Sequence, residues 1–149
     1  MKDPIKINAR VSSGGQPSEA DLAQLKASGV GTVINLRRPG EQDQPLDPQA
    51  EGDAAKRLGL SYVHIPVDPK NLDPKQAEAV AKAIAAAPGS VYIHCAAGGR
   101  ATTHALLAEA KAEGHSADQV LAKSAEIGAP IKDEGFKAFV RTVAGDGKK

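Results

Sequence analysis

A chain of 149 residues suits one domain of ordinary size, long enough to bury a core without disulfides or metal ions. Nineteen basic against 18 acidic residues give a formal charge of +1. With two Phe, two Tyr and no Trp, the chain offers neither a basic stripe nor a stacking surface, so no nucleic-acid partner is expected.

In chain order, Met1-Lys2-Asp3-Pro4 lacks the apolar centre of a signal peptide, and no run approaches the roughly 18 apolar residues of a membrane helix. The expected location is cytoplasmic, or periplasmic if a signal peptide has been removed, with no membrane partner. Residues Ala9 to Ser12 read as a strand, Ser18 to Ser28 as a helix and Gly31 to Leu36 as a second strand. A loop with Pro39, Gly40 and Pro45 follows, polar and exposed. Asp47-Pro48 opens a helix to Leu58, and Ser61 to Val67 is a strand. Pro74 to Ala87 is a helix with Ala77, Val80, Ala81 and Ile84 on one face. Ser90 to His94, after the breaker pair Pro88-Gly89, reads as a buried strand, and Ala101 to Glu113 as a helix stopped by Gly114. Ser116-Ala117-Asp118-Gln119 is a capping box opening another helix. Asp133 to Val143 makes the last one, with Phe136, Phe139, Val140 and Val143 as its apolar face, and Gly145 to Lys149 reads as frayed. This alternation predicts a single three-layer α/β domain over 1–149, with a mostly parallel sheet of four to five strands and helices on both faces.

The most informative stretch is His94-Cys95-Ala96-Ala97-Gly98-Gly99-Arg100, which sets the only cysteine between a buried strand and a helix. In parallel sheets ligands sit beyond the carboxyl ends of the strands, where Cys95 falls. Unpaired N–H groups at the helix N-terminus, together with the helix dipole, favour a phosphate or another oxyanion, and the same field favours S⁻ over SH. Gly98 and Gly99 are expected to let the backbone curl with positive φ, while Arg100 can grip two oxygens with its planar fork. The bland reading is a small buried Cys95 closing a core strand, a solvated Arg100 and glycines that merely turn the chain.

The chain resembles the cysteine-dependent phosphatases, and more closely the small bacterial dual-specificity-phosphatase-like family also found fused to β-lactamase-like hydrolases. Four blocks carry the resemblance: Ser13-Gly14-Gly15-Gln16-Pro17-Ser18, Gly31-Thr32-Val33-Ile34-Asn35-Leu36-Arg37, Tyr62-Val63-His64-Ile65-Pro66-Val67, and the cysteine loop. It implies a phosphatase acting on a phosphorylated protein or a small phosphate ester through a phosphocysteine, without cofactor or metal. The implied site has Cys95 as nucleophile, Arg100 and the loop Ala96, Ala97, Gly98 and Gly99 as phosphate ligands, and Asp68 as general acid. Asp73 is the second choice for the acid. As structural alternatives, Asp68 suits a turn before Pro69, and Asp73-Pro74 suits an N-cap followed by proline. His94 is expected either to orient the loop through hydrogen bonds, as in the family, or to be a satisfied strand-end histidine. Arg37, on the carboxyl edge if the sheet is parallel, could attract phosphate or form a surface salt bridge, with Glu41 as its partner.

Two departures from the family pattern stand out. Cys95 and Arg100 are separated by four residues where most cysteine phosphatases have five; the small bacterial family shares the shorter spacing, but so do many rhodanese sulfurtransferases, whose cysteine carries a persulfide, and loop length alone does not choose between them. Ala101 occupies a position where many relatives place Ser or Thr against the thiolate, and Thr102 comes one residue late. The Gly-His-Ile-Pro-Gly-Ala segment typical of rhodaneses has no match here. Sulfurtransferase and non-catalytic phosphate-binding module remain the alternatives. His104 could face the pocket or solvent; His64 and His115 read as a strand and a loop residue. None of the histidines has metal-ligand spacing.

Overall fold

Residues 3–147 are described by a computed structural model. Five strands, β1 (Ile5–Lys6), β2 (Val11–Gly14), β3 (Val30–Asn35), β4 (Ser61–His64) and β5 (Ser90–His94), form one sheet in the order β1-β2-β5-β3-β4. Among the described residues only the β1–β2 pair is antiparallel. Six helices of the described residues flank it: α1 (Glu19–Ala27), α2 (Pro48–Arg57), α3 (Pro74–Ala86), α4 (Gly99–Glu113), α5 (Ala117–Glu126) and α6 (Glu134–Ala144).

The period-2 alternation of the strands divides the core between two faces. Ile34, Val91 and Ile93 pack with Val80 of α3, Leu106 of α4, Val120 of α5 and Phe139 of α6. Val33 and Tyr92 pack on the other side with Leu22 and Leu25 of α1 and Ala54 and Ala55 of α2. The three-layer α/β expectation therefore holds. Because β5 is paired on both edges and covered on both faces, Val91 through His94 are all buried.

Local chemistry starts the helices where the sequence says it should. Ser18 and Ser116 make capping boxes with Asp21 and Gln119, while Asp47, Asp73 and Asp133 cap α2, α3 and α6 with their carboxylates.

Several boundaries differ from the expectation. The strand expected at Ala9 to Ser12 lies at Val11–Gly14, because Asn8 Oδ1 accepts the N–H groups of Arg10 and Val11 and closes a turn there. That turn joins β2 to β1, a strand too short to show any periodicity. β4 stops at His64 rather than Val67, since Pro66 has no N–H for the ladder, although Ile65 and Val67 still donate to Asn35 and Leu36 of the neighbouring segment. The helix after the cysteine begins at Gly99, not Ala101, so Arg100 belongs to its first turn. Val143 is exposed, and the apolar face of α6 buries Phe139 and Val140. The segment expected to fray is tied at its start, where Gly145 accepts the Ala117 N–H at 2.8 Å. Lys148 and Lys149, like Met1 and Lys2, lie outside the described residues.

Candidate active site

Cys95 leaves the end of β5 with 2% of its surface exposed, and its Sγ accepts the Gly98 N–H at 3.1 Å. Neighbouring backbone fixes the loop: Cys95 N donates to Gly14 O at 3.3 Å, and Gln16 N to Ala96 O at 3.2 Å. Gly98 is the residue before α4 and has φ 117°, a left-handed conformation that favours glycine. Gly99 is different. It is the first residue of α4, its φ is not positive, and a Cβ placed on it would meet nothing within 4 Å. Only one of the two glycines therefore performs the expected curl. The first-turn N–H groups of α4 have no intrahelical acceptor, so the sulfur sits at the positive end of a 15-residue helix.

Arg100 is 7% exposed and points toward β3 and β4. Its Nη1 and Nη2 grip Glu41 Oε2 and Oε1 at 2.7 and 2.8 Å, and Nη1 also donates to Val67 O at 2.9 Å. Glu41 is held at about 2 against an ordinary 4.5, first by its bond to Arg100, then by the Arg38 N–H and Arg37, against the opposing effect of burial. Arg100 in turn is held more firmly protonated than usual, chiefly by Glu41, and Cys95 adds to the effect.

Arg37 is neither a surface residue nor free to meet a phosphate. It is 1% exposed, and its guanidinium is occupied by Glu41, Gln16 and the carbonyls of Gln42 and Asp43. The expected Glu41 partnership is present, but inside the protein. The exposed loop of the expectation thus folds back around a buried cation. His64 Nε2 donates to the Arg37 carbonyl at 2.6 Å.

Asp68 lies one residue beyond the Val67 carbonyl that Arg100 touches. Its Oδ1 accepts the Lys70 N–H at 2.9 Å, its Oδ2 is 3.8 Å from Arg38 Nη1, and its side chain is 39% exposed. Asp73 caps α3 through the Lys75 N–H, in line with its structural reading. Thr102 Oγ1 pairs with Ser13 Oγ at 2.7 Å. His104 faces neither pocket nor solvent: it packs on Phe139 and its Nδ1 donates to Arg100 O at 2.9 Å. Its Nε2 is a bare buried acceptor, and burial lowers its proton affinity.

His94 is fully buried; Nδ1 lies 3.2 Å from Cys95 O and Nε2 2.5 Å from Glu51 Oε2. Glu51, on α2, also accepts the Gln16 Nε2–H at 2.8 Å. Sequence reasoning missed Glu51 and Gln16. Their one trace is that Glu51 follows a Pro-started helix N-terminus and Gln16 follows Gly14-Gly15. A cavity of about 810 Å³ opens beside the loop, lined among others by Gly15, Ala97, Thr103, Ile131, Lys132 and Phe136. Among the described residues no cluster of His, Cys, Asp and Glu could hold a metal ion, and no helix is long and apolar enough to cross a membrane.

The family described as the phosphatase-like domain of Beta-lactamase hydrolase-like protein matches residues 6–112. The chain belongs to that family. A Beta-lactamase hydrolase-like protein of Xylella fastidiosa strain Temecula1 is 35% identical over 105 residues, covering 70% of this chain and 24% of the relative. The phosphatase-like domain thus spans about a quarter of the length of the curated relatives it matches. A candidate phosphatase of Shewanella putrefaciens CN-32 superposes on it with TM-score 0.78 at 27% identity, covering 95% of this chain and 90% of that one. TpbA from P. aeruginosa, solved in complex with pTyr, shares the fold at TM-score 0.71 and 16% identity, with 93% and 82% covered. The matched region of this phosphatase-like domain contains β2 to β5, the cysteine loop and nearly all of α4.

Proposed function

We propose that residues 1–149 form one cysteine-dependent phosphatase domain, hydrolysing phosphate monoesters of the protein-tyrosine or dual-specificity type through a phosphocysteine. The observation that carries this reading is the lone sulfur fixed at the N-terminus of α4 by the Gly98 N–H at 3.1 Å. Cys95 Sγ attacks phosphorus in line, forming a P–S bond as the P–O bond to the leaving group breaks. Arg100 and the N–H groups of Ala96, Ala97, Gly98 and Gly99 hold the equatorial oxygens, and Asp68 gives its proton to the leaving oxygen. Water then attacks the phosphocysteine, Asp68 takes its proton, and phosphate leaves with the thiolate restored.

Supporting roles follow from contacts. Glu41 preorients the Arg100 fork, and incoming phosphate shares that fork with it. Thr102 braces the loop through Ser13, His94 holds the Cys95 carbonyl, and Arg37 knots the loop that carries Glu41. The partner is a phosphorylated protein or a small phosphate ester. The bound pTyr in TpbA supports an aryl phosphate as the first probe.

The test is hydrolysis of an aryl phosphate beside thiosulfate-to-cyanide transfer. Cys95→Ser should lower hydrolysis by roughly 10³-fold or more while inorganic phosphate still binds. Undiminished hydrolysis by that variant refutes the reading. The four-residue spacing between Cys95 and Arg100 is compatible with a persulfide-carrying sulfurtransferase as second reading, and sulfur transfer exceeding hydrolysis would select it.

A further inference from the structure

We propose that Glu51 is a positioning residue for Cys95. It keeps the His94 ring doubly protonated, so that one N–H holds the Cys95 carbonyl and a positive charge sits on the residue next to Cys95. The proposal rests on Cys95 reacting as a thiolate, and it assigns a role to a helix, α2, that contributes nothing to the cysteine loop itself.

The protons can be traced from both ends of a chain of side chains in which only Gln16 is less than fully buried. Arg37 has only donors, and its Nη1 bonds Gln16 Oε1 at 3.0 Å, which fixes the orientation of the Gln16 amide. The Gln16 NH₂ group must then donate, and it does so to Glu51 Oε1 at 2.8 Å and Pro17 O at 3.0 Å. Glu51 Oε1 is therefore an acceptor. At the other end the Cys95 carbonyl can only accept, so the His94 Nδ1 that faces it at 3.2 Å carries a hydrogen.

One proton remains, between His94 Nε2 and Glu51 Oε2, 2.5 Å apart. Every neighbour favours placing it on the ring. Glu51 lies in the first turn of α2, where the helix dipole stabilises a carboxylate; Gln16 donates to it, and the Arg37 guanidinium of the β3 edge stands behind Gln16. Both side chains are 0% exposed, and as carboxylate and imidazolium they neutralise each other where an isolated charge would be costly.

The other groups around the ring do not compete for that proton. Tyr92 of β5 stacks on it at 5.9 Å, with its hydroxyl spent on Gly15 O. On the α4 side, Arg100 is engaged by Glu41 and Val67. Ala101 brings no hydroxyl to the sulfur, and a charged His94, one residue before Cys95 and bonded to its carbonyl, would meet part of that deficit.

The test uses the full chain and two readouts. In nitrogen-detected proton spectra of the unsubstituted protein at pH 8, both His94 ring nitrogens should carry protons; a single ring N–H overturns the proposal. In Glu51→Gln, alkylation of Cys95 by iodoacetamide at pH 6 should slow about tenfold and recover as the pH is raised. Its kcat for an aryl phosphate should fall while KM stays within about twofold. A folded Glu51→Gln protein with an unchanged alkylation profile refutes the assignment. If that variant does not fold, the ring spectra decide alone. Neither spectra nor alkylation requires turnover, so failure of the phosphatase reading would be seen separately, as absent hydrolysis with both signatures intact.

Discussion

Replacing Glu41 by Gln preserves shape while removing the negative charge shared by three arginine residues. Its side chain is 12% exposed and touches Arg37, Arg38 and Arg100. A carboxyl held at about 2 in the folded chain and 4.5 when unfolded contributes about 3 kcal/mol to stability wherever both states are ionised. Because the folded value is depressed, this contribution is complete above the unfolded value and disappears as pH falls toward 2. Urea unfolding of the two proteins should therefore differ by about 3 kcal/mol at pH 6 and by about 1.5 kcal/mol at pH 3. Curves that stay parallel between those pH values would refute the reasoning, since a gap independent of pH reports lost packing and not lost charge.

Three further outcomes are expected. Gly98→Ala forces a side chain into φ 117° and should cost about 1–3 kcal/mol together with most of the hydrolysis, whereas Gly99→Ala should be neutral or stabilising by up to about 1 kcal/mol; thermal unfolding and aryl phosphate turnover separate the pair. Asp68→Asn should lower kcat by roughly 10²-fold and abolish the basic limb of the pH–rate profile, while Asp73→Ala should lose only about 1 kcal/mol of cap stability and keep that limb. In Gly14→Ala the new Cβ would lie 2.5 Å from the hydroxyl of the fully buried Tyr92, costing about 1–3 kcal/mol in urea unfolding.

Where a rule is local, the sequence was legible. Asp47, Asp73, Ser116 and Asp133 mark helix starts because a side-chain oxygen captures an N–H two or three residues on, and that pairing needs no tertiary contact. The alternation of strands and helices likewise gave the layers and put Cys95 on the carboxyl edge. Strand order is different, because β5 lies between β2 and β3 for reasons of packing that no local window contains.

The buried polar residues were the least legible. Glu51, Arg37 and the half-buried Gln16 have the composition of a solvated surface, and only the docking of α2, the β2–α1 turn and the β3 edge against His94 turns them inward. Gly98 and Gly99 look alike in the sequence. Only the backbone conformation distinguishes the one that must be glycine from the one that need not be.

The central position of β5 also has a temporal consequence. Val11 pairs with Val91, and Val30 with Ser90, so the middle strand is claimed on both sides by partners synthesised long before it. A ribosome must release most of the polypeptide before the thiol gains its amide partner from Gly98. Until then Cys95 rides on an unfinished chain, and the arrangement proposed to make it a nucleophile exists only once folding is complete.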